Sequence, residues 1–181
     1  MANSPCLEVH VFSRSKGAGK TFVVEALASK LSSMGIPVVA VKHVHHGSPD
    51  LLWGKDAERA FSAGALVSIA YGSEYSVIIA RTSTSPLELV KSVSGLIGAS
   101  YALLIEGFRG VKHGVSVFVV KSGEELEGEE CKRLSEAGGF IVSLNVDNTM
   151  FSKGCRVYRV EELVDEIALR ASRFCLGRGA P

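Results

Sequence analysis

Apolar residues come along the chain in short runs, each closed by a turn signal or followed by a stretch at helical spacing. Leu7 to Phe12 is the first run. It alternates only in part, as a strand buried in a parallel sheet does. Behind a glycine-rich turn, Val24, Leu27, Ala28, Leu31 and Met34 fall on one helical face. Gly35 supplies a stop, and Pro37 prevents continuation. Pro37 to Val44, PVVAVKHV, is the next strand. Strand, turn, helix and strand make one βαβ unit, which requires a parallel sheet.

The pattern continues with a loop from His45 to Lys55, broken by Gly47, Pro49 and Gly54. Asp56 to Ala63 reads as a helix capped by Asp56. Leu66 to Tyr71 and Tyr75 to Ala80 read as two strands joined at a GSE turn. A helix is expected from Pro86, and Tyr101 to Ile105 is a buried strand ending at Glu106. Strands follow at Val115 to Val120, Phe140 to Leu144 and Val157 to Val160. Glu124 to Ala137 is helix-like despite Gly128. Glu161 to Phe174 is a terminal helix with acids early and Arg170 and Arg173 late, which suits the helix dipole. No repeat or linker composition appears. The expectation is one domain over 1–174, with 175–181 a frayed tail.

Composition adds exclusions. The chain has 181 residues, 46% hydrophobic and 22% charged, with a formal net charge of +1. That suits a globular domain, and its charge does not argue for nucleic acid or an anionic membrane as partner. No apolar run reaches the ~18 residues of a membrane span. The opening MANSPCLEVHVF lacks the basic-then-apolar order of a signal peptide. Cys6, Cys131, Cys155 and Cys175 form no C-x-x-C pair, so reduced thiols in a cytoplasmic protein are expected.

The chemistry begins at SRSKGAGKT, Ser13 to Thr21. A phosphate loop needs backbone N–H groups turned inward, which glycines permit. It needs a lysine for the β- and γ-phosphates and a Ser or Thr hydroxyl for Mg²⁺. Gly17, Gly19, Lys20 and Thr21 meet these needs, and the loop opens a helix N-terminus that favours anions. The candidate nucleotide-binding set is Lys16, Gly17, Ala18, Gly19, Lys20, Thr21 and Phe22. The pattern's first glycine is replaced by Arg14, where the strand is ending; an arginine is tolerable there if its φ is negative. Lys16 adds general positive potential.

A second constellation leaves the end of the second strand. Lys42 to Ala65 reads KHVHHGSPDLLWGKDAERAFSAGA, and the strand ending in Glu106 reads on as IEGFR. In an open α/β sheet the carboxyl ends of the strands are where ligands bind. A carboxylate at a strand tip beside a phosphate loop holds Mg²⁺ or positions the attacking water. The ordered set GAGKT, KHVHH, GKDA, AGA and EGFR resembles the molybdopterin-guanine dinucleotide biosynthesis protein B family, MobB. The resemblance covers about positions 7 to 120.

That resemblance implies a three-layer P-loop NTPase fold, with a mostly parallel, partly mixed central sheet flanked by helices. It implies a GTP-binding accessory protein and slow Mg²⁺-dependent GTPase, usually a cytoplasmic homodimer. Such a protein acts beside a molybdenum cofactor nucleotidyltransferase in attaching a guanine nucleotide to molybdopterin. Carried over by motif, Lys20 and Glu106 are catalytic, and Thr21 and Glu106 hold Mg²⁺. Lys42, His43, His46, Asp50, Lys55, Asp56 and Arg109 line the mouth of the site. Some positions depart from the family pattern. Gly47 stands for an acid after the histidine pair, and Leu51 for an aspartate that Asp50 replaces by a shift of one. Tyr101, Val115 and Val120 stand where charges are usual.

His43, His45 and His46 raise a transition-metal alternative, but no cysteine or carboxylate completes a ligand set. NVDN, Asn145 to Asn148, follows a strand where a base-reading loop could lie, without being a full N-K-x-D motif. A small-molecule kinase and a nucleotide-switched adaptor or metallochaperone remain alternatives to the GTPase. The residues alone do not choose GTP over ATP.

Overall fold

The computed structural model describes residues 4–44, 55–81, 84–108, 114–145 and 155–177. They divide between two compact units: Met1–His43 with Val90–Pro181, and Val44–Leu89. No change of composition marks either crossing, which is why the chain reads as one domain.

The first unit is built on a six-stranded sheet. Its strands are β1 (Pro5–Phe12), β2 (Val38–Lys42), β5 (Tyr101–Glu106), β6 (Val115–Val119), β7 (Phe140–Val142) and β8 (Val157–Tyr158). The order is β2-β5-β1-β6-β7-β8, and each neighbouring pair is parallel. Side chains alternate between faces, as strand geometry dictates. Leu7, Val9, Val11, Val117, Val119, Phe140 and Val142 enter one core with helices α1 (Lys20–Ser33) and α5 (Val160–Ala171). Phe118, Val120 and Ile141 enter a second core with Leu134 and Cys131 of α4 (Gly128–Glu136). Helices on both faces make the three layers.

The second unit holds α2 (Lys55–Ser62) and the antiparallel hairpin β3 (Val67–Tyr71) and β4 (Ser76–Ala80). The mixed character expected of the sheet thus resides in a separate two-stranded sheet. α3 (Pro86–Ser94) carries the chain back to the first unit. Asp56 lies within α2 rather than capping it, because the helix opens at Lys55. Gly128 is the first residue of α4, not an interior flaw, since Gly123–Glu125 form a separate 3-10 turn.

The thiol expectation is corrected. Cys6 is bonded to Cys175, and Cys131 to Cys155. The pairs are 169 and 24 residues apart in sequence, so no local spacing announces them. Cys175 and Leu176, placed in a frayed tail by their composition, belong to a π-helical turn over Ser172–Leu176 that the first bond ties to β1. The thiol argument for a cytoplasmic location falls with this correction. No described helix is long and apolar enough to cross a membrane.

Candidate nucleotide site

The loop leaves β1 in the middle of the sheet, with β5 on one side and β6 on the other. Gly17 and Gly19 have φ of 65° and 94°. This left-handed region suits glycine and turns successive N–H groups toward one concavity. At Gly19 the space is also closed, since a Cβ there would collide with the side chain of Leu144. Gly19 is the N-cap of α1, so the free first-turn N–H groups face the same loop. Ala18 is buried. Lys20 Nζ donates to Ser13 Oγ at 2.8 Å, and Ser13 Oγ donates to the Ser15 carbonyl at 2.7 Å. Among the described residues, Ser15 Oγ is buried and finds no hydrogen-bond partner. An orphaned polar atom in a concavity of N–H groups and a lysine fits a phosphate.

Strand register sets the second half of the site. Glu106 lies level with Val11 of β1 and Lys42 of β2. Thr21 Oγ1 donates to Glu106 Oε1 at 2.9 Å. Lys42 Nζ donates to Thr21 Oγ1 at 2.9 Å and sits 3.4 Å from Glu106 Oε1. The Glu106 carboxylate is buried, so an unbalanced charge there would be costly. The lysine ammonium supplies the balance. A hydroxyl and a carboxylate this close also suit Mg²⁺, which takes oxygen ligands.

Beyond Glu106 the strand turns sharply. Gly107 and Phe108 both take left-handed φ, 90° and 52°, and Phe108 is the one described non-glycine residue to do so. The Phe108 ring lies 4.8 Å from the His43 ring, and His43 N–H donates to the Glu106 carbonyl at 3.0 Å. Beneath them, His10 is buried and its Nε2 meets the Gly107 carbonyl. A carbonyl only accepts, so Nε2 carries the proton. His43 thus packs at the strand ends. His45, His46, Asp50 and Arg109 lie outside the described residues, as do the side chains of Lys55 and Asp56. Among the described residues no group of three or more His, Cys, Asp or Glu side chains gathers as a metal site.

On the other side of α1 is a cavity of about 550 Å³, lined by Phe22, Ser143, Leu144, Asn145, Arg159, Val160 and Glu161. It opens past the carboxyl ends of β7 and β8, beside the first turn of α1. Of the NVDN segment, Asn145 lines it, and 146–148 lie outside the described residues.

A family model described as molybdopterin guanine dinucleotide synthesis protein B matches residues 9–140. This chain belongs to the MobB family. Membership ties it to molybdopterin guanine dinucleotide synthesis and to the P-loop nucleotide binders. Solved structures agree in fold. Bacillus subtilis MobB superposes with a TM-score of 0.62 at 20% identity, covering 90% of this chain and 96% of that one. A MobB homologue from Bacillus stearothermophilus gives 0.59 at 17% identity, covering 94% and 99%. A comparison with curated proteins gives no match.

In this MobB-family chain the missing first glycine has a structural account. Arg14 turns away from the loop, and its Nη1 and Nη2 reach Glu127, just before α4, at 2.6 Å and Glu130, on α4, at 2.9 Å. Its φ is not positive, so no glycine is needed. The hydrogen bond from Arg14 holds the Glu127 carboxyl below its ordinary range, and the same bond raises the Arg14 guanidinium. A depressed carboxylate adds stability above its unfolded pKa and loses it as pH falls through its folded value. The pair is solvent-exposed, so its contribution is small. Arg14→Ala is expected to leave nucleotide affinity unchanged and to lower the melting temperature only slightly. That deficit should fade in acid, where Glu127 is protonated. Calorimetric titration with nucleotide and melting at two pH values check this; a large loss of affinity would mean that the loop needs Arg14.

Of the other departures, Val115 is half-buried, and Gly47 and Leu51 lie outside the described residues. Tyr101 and Val120 are core positions, where a charge would have no partner. Sequence reasoning missed Ser13, Leu144 and Phe108 because their roles arise from chain crossings. Only Ser13, beside the motif, carried any local signal.

Proposed function

We propose that this protein binds GTP with Mg²⁺ and hydrolyses it slowly, as a homodimeric accessory to a molybdenum cofactor nucleotidyltransferase that joins guanine nucleotide to molybdopterin. The observation that carries the reading is the meeting of Thr21 with Glu106 at the mouth of a loop whose Gly17, Gly19 and Lys20 face one concavity.

The N–H groups of 16–22 would cradle the phosphates, and Lys20 would leave Ser13 for the β- and γ-phosphates. Thr21 Oγ1 and Glu106 would hold Mg²⁺, which would supply positive charge against the phosphate oxygens. Glu106 would also orient a water molecule: the water oxygen bonds to the γ-phosphorus, the bond from the γ-phosphorus to the β-phosphate oxygen breaks, and of the two water protons one stays on inorganic phosphate and one is released to solvent. Lys42 already places a cation at this carboxylate. The family motifs assign His43, His46, Asp50, Lys55, Asp56 and Arg109 to the pterin substrate.

The cavity beside Phe22 would take the base, and Asn145 in its lining carries an amide able to donate and accept at a purine edge. Two molecules would join through the second unit. One face of its hairpin exposes Val67, Ile69, Tyr71 and Ile78, more apolar surface together than a solvated strand pair presents. We place the protein in the cytoplasm, where GTP is made. There the Cys131–Cys155 bond would resist reduction by burial, at 6% and 8% exposure, whereas the half-buried Cys6–Cys175 bond would be the more accessible to reductant.

Titration with Mg·GTP and Mg·ATP tests the reading. GTP is expected to bind at least tenfold more tightly, a difference of about 1.4 kcal/mol. Its hydrolysis should be slow and dependent on Mg²⁺. Equal affinity for ATP, or transfer of the γ-phosphate to a metabolite, would favour a kinase instead.

A further inference from the structure

The sheet order brackets the loop. β5 and β2 deliver Glu106 and Lys42 from one side of β1, and β6 lies on the other. Past the end of β6, Val120 is buried and its N–H donates to the Val142 carbonyl at 3.0 Å. Lys121 comes next. Its own N–H donates to Glu125 Oε2 at 3.1 Å, and the 3-10 turn closes behind it with Leu126 buried. The Lys121 backbone is therefore held at both ends while its side chain is exposed.

That side chain reaches the loop. Lys121 Nζ and Cε lie 3.6 and 3.9 Å from where a Cβ on Gly17 would stand, and among the described residues, the glycine's chain neighbours aside, no other atom comes within 4 Å of that point. Among the described residues the ammonium makes no hydrogen bond or ion pair. Three N–H donors thus stand unengaged at the rim of a concavity built for anions.

We propose that Lys121 is a second phosphate-binding residue, delivered to the loop within the same chain from the turn after β6, that pairs with the diphosphate of the bound nucleotide. This rests on the nucleotide reading above. Gly17 lies in the part of the loop whose N–H groups cradle the α- and β-phosphates, whereas Lys20 reaches toward the γ-phosphate. Lys121 would therefore engage a nucleoside diphosphate as well as a triphosphate. During hydrolysis, negative charge grows on the β-phosphate as the bond to the γ-phosphorus breaks. A cation beside Gly17 would meet that charge without a partner protein.

Calorimetric titration of wild type, Lys121→Ala and Lys121→Arg with Mg·GDP and Mg·GTP tests this. The side chain is exposed and outside the core, so all three should melt within a few degrees of one another. Lys121→Ala is expected to weaken GDP and GTP by a similar factor, about tenfold or more, and to flatten the salt dependence of both. Lys121→Arg should recover most of the loss. If wild type binds both nucleotides and Lys121→Ala matches it, the assignment is overturned while the nucleotide reading stands. A loss confined to GTP would also overturn it, by placing the lysine on the γ-phosphate. If wild type binds neither nucleotide, both readings fall.

Discussion

Replacing Cys6 and Cys175 by serine is expected to lower the melting temperature by roughly 10–20 °C. The estimate follows from chain entropy. A bond joining residues 169 apart removes a large part of the freedom of the unfolded chain. For a loop of that size the effect is about 5 kcal/mol, and a protein of this length shifts by roughly 2–4 °C per kcal/mol. The Cys131–Cys155 bond closes only 24 residues, so its loss should cost less, about 3.5 kcal/mol. Thiol titration comes first: no free thiol is expected before reduction, and four after reduction and unfolding. Melting with and without dithiothreitol then gives the shift. Four free thiols in the native protein, or a melting point that dithiothreitol does not move, would sink this account. The Cys6–Cys175 bond ties the start of β1, whereas the loop leaves its end. Nucleotide affinity below the melting temperature should therefore survive in the double variant.

Lys20→Ala is expected to do the reverse: the fold stays, and nucleotide binding is lost. The ammonium touches a serine hydroxyl at the protein surface layer rather than the core, so the melting temperature should change little. A nucleotide would lose two charge-assisted hydrogen bonds, each about 1.5–3 kcal/mol. Affinity for Mg·GTP should fall by roughly a hundredfold or more. Undiminished affinity in Lys20→Ala, measured by calorimetry, would refute the phosphate loop. Gly19→Ala makes a less clean probe. The new Cβ would press on Leu144 and occupy a left-handed φ, so folding and binding would suffer together.

Much of the fold was legible because its signals are local. The run before Ser13, the spacing from Val24 to Met34 and the stop at Gly35 lie within single elements. A βαβ unit follows from them by chain geometry alone. The strand ending at Glu106 showed in its unbroken apolar run, and that strand is buried along its whole length. Boundaries were less legible. Phe140 to Leu144 shortens to Phe140–Val142 because Leu144 leaves the sheet to cover Gly19.

The sequence by itself determined the parts: a glycine-rich loop between strand and helix, an acid at a strand tip, a lysine ending another strand, and a parallel α/β class. These depend on backbone freedom, side-chain periodicity and residue type, which act over a few positions. Only the tertiary structure decided the meetings. Lys42, Glu106 and Thr21 come together because the register across β2, β5 and β1 sets them level. Arg14 is directed to Glu127 and Glu130, Lys121 to Gly17, and the four cysteines into two bonds, by packing between segments 24 to 169 residues apart. Such contacts carry no periodicity and no spacing rule. Their partners are chosen by which strand lies beside which, and the chain settles that only when the whole sheet closes over its cores.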